Sequence, residues 1–173
     1  MVEEKKKNPK LEQNHQEEPM SIIAKVVVTG LVGGIFWSLL SYVAYLFKFT
    51  EISPSLVLQP WAVGDWKNGV YGQFMGVFVI GLLSIGVALL YYAVLRKFDK
   101  IWVSMIFGLA LWAIVFFVLN PIFPDLKDVW DLKRNTIITT ICFYILYGVF
   151  VGYSISFEAN EFNQEKHAIV SNE

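Results

Sequence analysis

Four long stretches of this chain carry no charged side chain: residues 26–47, 70–95, 101–119 and 136–157. A helix needs ~20 apolar residues to cross a bilayer core. In lipid every backbone N–H and C=O must be satisfied within the protein, so only helices and closed barrels span it. Barrel strands alternate apolar and polar side chains over ~10 residues. These runs are continuously apolar and about twice that long. The pattern therefore predicts an all-α polytopic membrane protein, a four-transmembrane-helix bundle. Its spans are expected at about 22–47, 70–95, 101–119 and 136–157.

Composition agrees with that reading. Of 173 residues, 55% are hydrophobic and 17% charged, against ~25% charged in a soluble domain. Mean hydropathy is +0.51. The formal net charge of −1 argues against a nucleic-acid partner. A lone cysteine, Cys142, lies inside the fourth run. It allows no disulfide within the chain, and it is expected as a small apolar packing residue rather than a reactive thiol.

The charges gather at the ends and in three gaps. Residues 1–20 form a polar head rich in Lys and Glu and interrupted by Pro9 and Pro19. It has too few apolar residues to offset the cost of ordering, so it is expected to be disordered. The membrane domain covers 21–157, and 158–173 is a polar, mostly acidic tail. The first run exceeds the ~7–15 residues of a signal-peptide core and ends in aromatics, so it is expected as an uncleaved helix. With four spans, both ends share a side with the loop at 96–100. That side holds Lys5, Lys6, Lys7, Lys10, Lys25, Arg96, Lys97, Lys100 and Lys166. The other side holds Lys48, Lys67, Lys127, Lys133 and Arg134. The bias predicts both termini in the cytoplasm.

Small residues recur at four-residue spacing in every run. They are Gly30, Gly34 and Ser38; Gly72, Gly76, Ser84 and Ala88; Ser104 and Gly108; and Gly148, Gly152 and Ser156. Residues four apart share a helix face. Small side chains let backbones approach, which matters where lipid gives no hydrophobic drive for helix association. Gly30, Gly34, Gly72, Gly76, Ser104, Gly108, Gly148 and Gly152 are thus expected at helix contacts. Those contacts lie either inside one bundle or between two copies.

Signs of catalysis are missing. No ionisable residue lies within a run, where function in membranes usually shows itself. Lys25, Gln73 and Asn120 come closest, near span ends. Gln73 reads either as a hydrogen bond between helices or as a polar lining residue. His15 and His167 stand in opposite tails with no metal-ligand neighbour. No H-E-x-x-H, G-x-S-x-G or phosphate loop is present, and no serine within the runs has a base beside it. No catalytic residue, metal or cofactor is expected.

The gaps at 48–69 and 121–134 are the most individual segments. Trp61, Trp66 and Trp130 suit the boundary between water and lipid. Alternatively, Asp65, Asp125 and Asp128 with Lys67 and the three tryptophans form an outward-facing site for a partner. A carboxylate cluster there would also suit a hard cation.

The segment from Tyr144 to Glu158, YILYGVFVGYSISFE, together with Pro60 to Gly69, PWAVGDWKNG, resembles the YqhR family of small membrane proteins from Bacillus-type bacteria. The resemblance implies a bacterial plasma membrane and a Gram-positive source. It carries over no catalytic or binding residue. The expected function is a non-enzymatic scaffold or modulator of a membrane partner. The alternative is a subunit of a small channel or transporter acting as a homo-oligomer.

Overall fold

The structure, a computed structural model, describes residues 21–62, 64–95, 100–123 and 126–170, with only the backbone of 65, 68 and 161–170. The polar head expected to be disordered lies outside the described residues. Among the described residues all regular structure is helical. The main helices are α1 (Ile22–Leu46), α2 (Val70–Leu95), α3 (Ile101–Ala113) and α4 (Arg134–Val170). Four segments are long and apolar enough to cross a membrane. Large apolar side chains such as Phe36, Phe78, Leu90 and Ile106 point outward from these spans. A helix that is apolar on every side is a membrane span rather than the surface of a soluble fold.

Each helix ends for a physical reason. α1 closes with Lys48 in the left-handed conformation, φ 60°. The Lys48 N–H donates to the Tyr45 carbonyl at 3.0 Å and the Phe49 N–H to Ala44 at 2.9 Å. That pair of bonds is a Schellman cap, usually built on glycine. α3 continues as a single wider π turn, Ile114–Val118, where the Leu119 N–H reaches back to Ile114 at 3.0 Å. Pro121 follows directly. Its ring would collide with the carbonyl one turn back in a regular helix, and the wider turn accommodates that stop.

α4 runs 37 residues to Val170, past the expected end of the span near Phe157. No Pro or Gly lies between Glu158 and Val170 to break it. The loss of hydropathy ends the span without ending the helix. At that level Lys25 of α1 pairs with Glu158 of α4 at 2.5 Å.

α1 packs most extensively on α2, and α3 on α4. α4 also touches α1 and, more lightly, α2, while α2 and α3 are not closely packed against each other. Two apolar cores result. Towards the chain ends, Val26, Ala88, Tyr91, Val151 and Ile155 are fully buried. Towards the opposite, loop face, Trp112, Phe116, Leu126 and Leu132 form the second. Tyr91 joins α2 to α3 at the terminal side, through a 2.9 Å hydrogen bond with Ser104 and an edge contact with Phe107.

The glycine rows mediate much of this packing. A Cβ on Gly30 or Gly34 would overlap Ser84 and its neighbours on α2. On Gly108 it would meet the Tyr144 backbone, and on Gly148 the Gly108 backbone. On Gly152 it would meet Ser104 and the Tyr91 hydroxyl. Gly72 and Gly76 differ, since their close neighbours are loop backbone at Lys67 and Pro54 rather than another helix. Gly33, against Phe150, and Gly81, against Ile35, are close approaches that the four-residue rows do not contain. Cys142 is exposed on α4, on the lipid-facing surface rather than packed against a helix.

Candidate functional site

The segment after α1 enters the loop face at Thr50 and Glu51. Thr50 is buried, and its hydroxyl accepts the Ile52 N–H at 3.1 Å. The Glu51 N–H donates to the Thr136 hydroxyl in the first turn of α4 at 3.1 Å. Thr139 donates to the Phe49 carbonyl at 3.4 Å. The Glu51 carboxylate meets Lys133 at 2.7 Å and Lys127 at 4.0 Å. The hydrogen bond from Lys133 comes first among the causes that hold this carboxyl below its ordinary range, although partial burial opposes it. An exposed ion pair adds little stability. Here its consequence is register, because it ties the first loop to the second.

The first loop is also fastened downward. Pro54–Leu58 forms a short 3-10 turn with Pro54, Ser55 and Leu58 buried. Gln73 of α2 accepts the Ser55 N–H at 3.3 Å and donates to its hydroxyl at 3.2 Å. Gln73 therefore anchors a loop, neither joining two helices nor lining a path. Non-helical backbone at this depth is tolerated because protein satisfies it.

On this scaffold Trp61 and Trp130 stand 83% and 87% exposed, and Trp66 is 49% exposed. Lys67 donates to the Ala62 carbonyl at 3.5 Å, which turns it towards its own loop. Asp128 accepts from Asn120 at 3.3 Å. The Asp65 side chain and Asp125 lie outside the described residues. The described candidate residues thus share one end of the bundle, where the two loops are joined by the Glu51 ion pair and by Ile52 and Leu56 packing on the core of Leu126 and Leu132. Among the described residues no group of three or more His, Cys, Asp or Glu converges to hold a metal.

A second feature lies below the loops. Between the α1–α2 pair and the α3–α4 pair is a cavity of about 280 Å³. Ser84 and Tyr147 stand at its membrane-centre end and the 52–57 segment at its loop end.

Residues 6–169 match the family described as conserved membrane protein YqhR. The chain belongs to the YqhR family. The match starts inside the polar head and takes in most of the acidic tail. A YqhR relative from Bacillus subtilis, which bears the name "Uncharacterized protein YqhR", is 52% identical over 153 residues, covering 88% of this chain and 86% of the relative. No solved structure matches the chain. Family and helices together make this YqhR chain a multi-pass membrane protein.

Glu51 was absent from the sequence-derived set. It is a single acid beside an apolar run, and its lysine partners come from the other loop.

Proposed function

We propose that this YqhR-family protein is a non-catalytic membrane component that holds or modulates another membrane protein through its loop face. One observation carries the reading. Glu51 ties two separate loops into one surface, and that surface presents Trp61 and Trp130 nearly fully exposed. Large rigid aromatics on a fixed surface are favoured anchors for a partner. With both termini in the cytoplasm, the face is extracytoplasmic. A channel or transporter subunit would need a path between copies, because Val26, Ala88, Tyr91, Val151 and Ile155 fill the terminal half of one bundle.

The test places a photo-crosslinking residue at position 61 or 130 and irradiates intact native membranes. A discrete adduct of higher mass with a second protein is expected, and Glu51→Ala should reduce it severalfold while the purified variant stays folded. Adducts with lipid alone would make both tryptophans interfacial anchors and end the partner reading. Homo-oligomer adducts accompanied by solute flux in liposomes would favour the channel subunit instead.

A further inference from the structure

The loop face carries five cations, Lys48, Lys67, Lys127, Lys133 and Arg134. Three of them are engaged within the chain. Lys127 and Lys133 flank the Glu51 carboxylate, and Lys67 donates to the Ala62 carbonyl at 3.5 Å. The other two are left over. Among the described residues neither Lys48 nor Arg134 forms an ion pair or a side-chain hydrogen bond, and both are exposed. Asp131 is the acid closest to Arg134 in sequence, and it does not pair with it.

Folding brings these two cations to one junction. Lys48 follows the last turn of α1, and Arg134 opens α4. The Thr139 hydroxyl donates to the Phe49 carbonyl at 3.4 Å, and the Glu51 N–H donates to the Thr136 hydroxyl at 3.1 Å. Residues 49–51 therefore run along the first turns of α4. Lys48 and Arg134 flank the loop end of the α1–α4 contact.

The surface beneath them is apolar and faces lipid. Phe47 and Phe49, on either side of Lys48, are 71% and 57% exposed, with their rings 6.3 Å apart. Ile138 lies one turn below Arg134 on the same row of α4 and is also exposed. Cations at the end of a span reach the headgroup layer while their stems lie along the apolar surface. Two uncommitted cations above an apolar belt match a phosphate above its acyl chains.

We propose that Lys48 and Arg134 hold the phosphate of an anionic phospholipid in the leaflet on the loop side, its chains lying against Phe47, Phe49 and Ile138. Arginine suits the phosphate end, because its planar fork meets two phosphate oxygens at once. The charge count selects the headgroup. Two cations facing one phosphate leave a positive excess, and a choline headgroup would add a third positive charge beside them. A glycerol headgroup adds none, so phosphatidylglycerol is favoured over phosphatidylcholine. A free phosphate would leave the aromatic belt uncovered. The site is separate from partner docking through Trp61 and Trp130.

The experiment uses the full chain in phosphatidylcholine nanodiscs, with phosphatidylglycerol or phosphatidylcholine probes that carry a photoreactive group in one acyl chain. Adducts are mapped by peptide mass spectrometry to residues 43–49 and 134–142. Phosphatidylglycerol should label these peptides saturably and at least fivefold more than phosphatidylcholine does. Lys48→Gln and Arg134→Gln should each lower that labelling about fivefold, the effect of one cation at a membrane surface. The double variant should bring it down to the phosphatidylcholine level. Lys48→Gly serves if Lys48→Gln does not fold, since glycine is the usual residue in this cap. Lys67→Gln should change nothing. Equal labelling by the two probes, labelling that survives the double variant, or an equal loss in Lys67→Gln would overturn the site.

Discussion

Glu51 sits between two lysines that arrive from the other loop, with Lys133 at 2.7 Å and Lys127 at 4.0 Å. Its carboxyl is held below the ordinary range, chiefly by the Lys133 hydrogen bond. The contribution of a carboxyl depressed by folding is fully present above its unfolded value and is lost as pH falls through the folded one. Wild type should therefore be slightly more stable than Glu51→Gln near neutrality, and the two should converge on acidification. Thermal unfolding in one detergent, followed from pH 7 down to pH 3, checks this. A gap that stays constant to the acid end would show that the Glu51 charge is not what matters. The difference should be small, because both lysines are largely exposed. None of this was legible from Glu51 alone. Ion pairs are properties of the folded surface, and the sequence shows only a lone acid beside Thr50. Gln73 was visible as an unusual polar residue near a span end, but its partner Ser55 was not, because a 3-10 turn brings them together.

At the scale of elements, the helices were the most readable part. Continuous apolar runs flanked by charge, Pro or Gly leave few choices for where a helix lies in lipid. The rows of small residues marked contact faces but did not say what covers them. Gly108 and Gly148 face another helix, while Gly72 and Gly76 face loop backbone. The spacing is the same in both cases, and only the path of the loop separates them. Gly86 is a useful contrast, since a Cβ there meets nothing within 4 Å. Gly148→Ile should lower stability by about 1–3 kcal/mol or more through overpacking against Gly108 and Ser104. Gly86→Ala should be neutral or raise stability by up to about 1 kcal/mol, as Ala is the better helix former. Thermal unfolding of both variants in the same detergent compares them directly, and equal losses would contradict the assigned α3–α4 contact. The π turn escaped the sequence reading altogether. Asn120-Pro121 announces a stop, but not whether the last turn tightens or widens before it.

For the whole molecule, the distribution of Lys and Arg predicts both ends in the cytoplasm, and a topology reporter tests this. A reporter active only outside the membrane, fused after Glu173, should stay silent, and the same reporter inserted in the first loop near Trp61 should be active. A bright C-terminal fusion would invert the molecule and put the loop face inside. The bundle as a class was readable from four uncharged runs. The cavity was not, because it arises from how two helix pairs diverge, and no local pattern encodes that divergence.

The length of α4 has a mechanical consequence. Its 37 residues, at ~1.5 Å per residue, make a rod of about 55 Å. One end is fixed to the loop face through Thr136, and the stretch near the other membrane boundary is clamped to α1 by Lys25. Beyond that clamp the rod projects as a lever arm to Val170. A tilt about that clamp swings the roughly 18 Å arm beyond it by only about 0.3 Å per degree, so one continuous helix holds the loop face and the far end of α4 in nearly fixed relation.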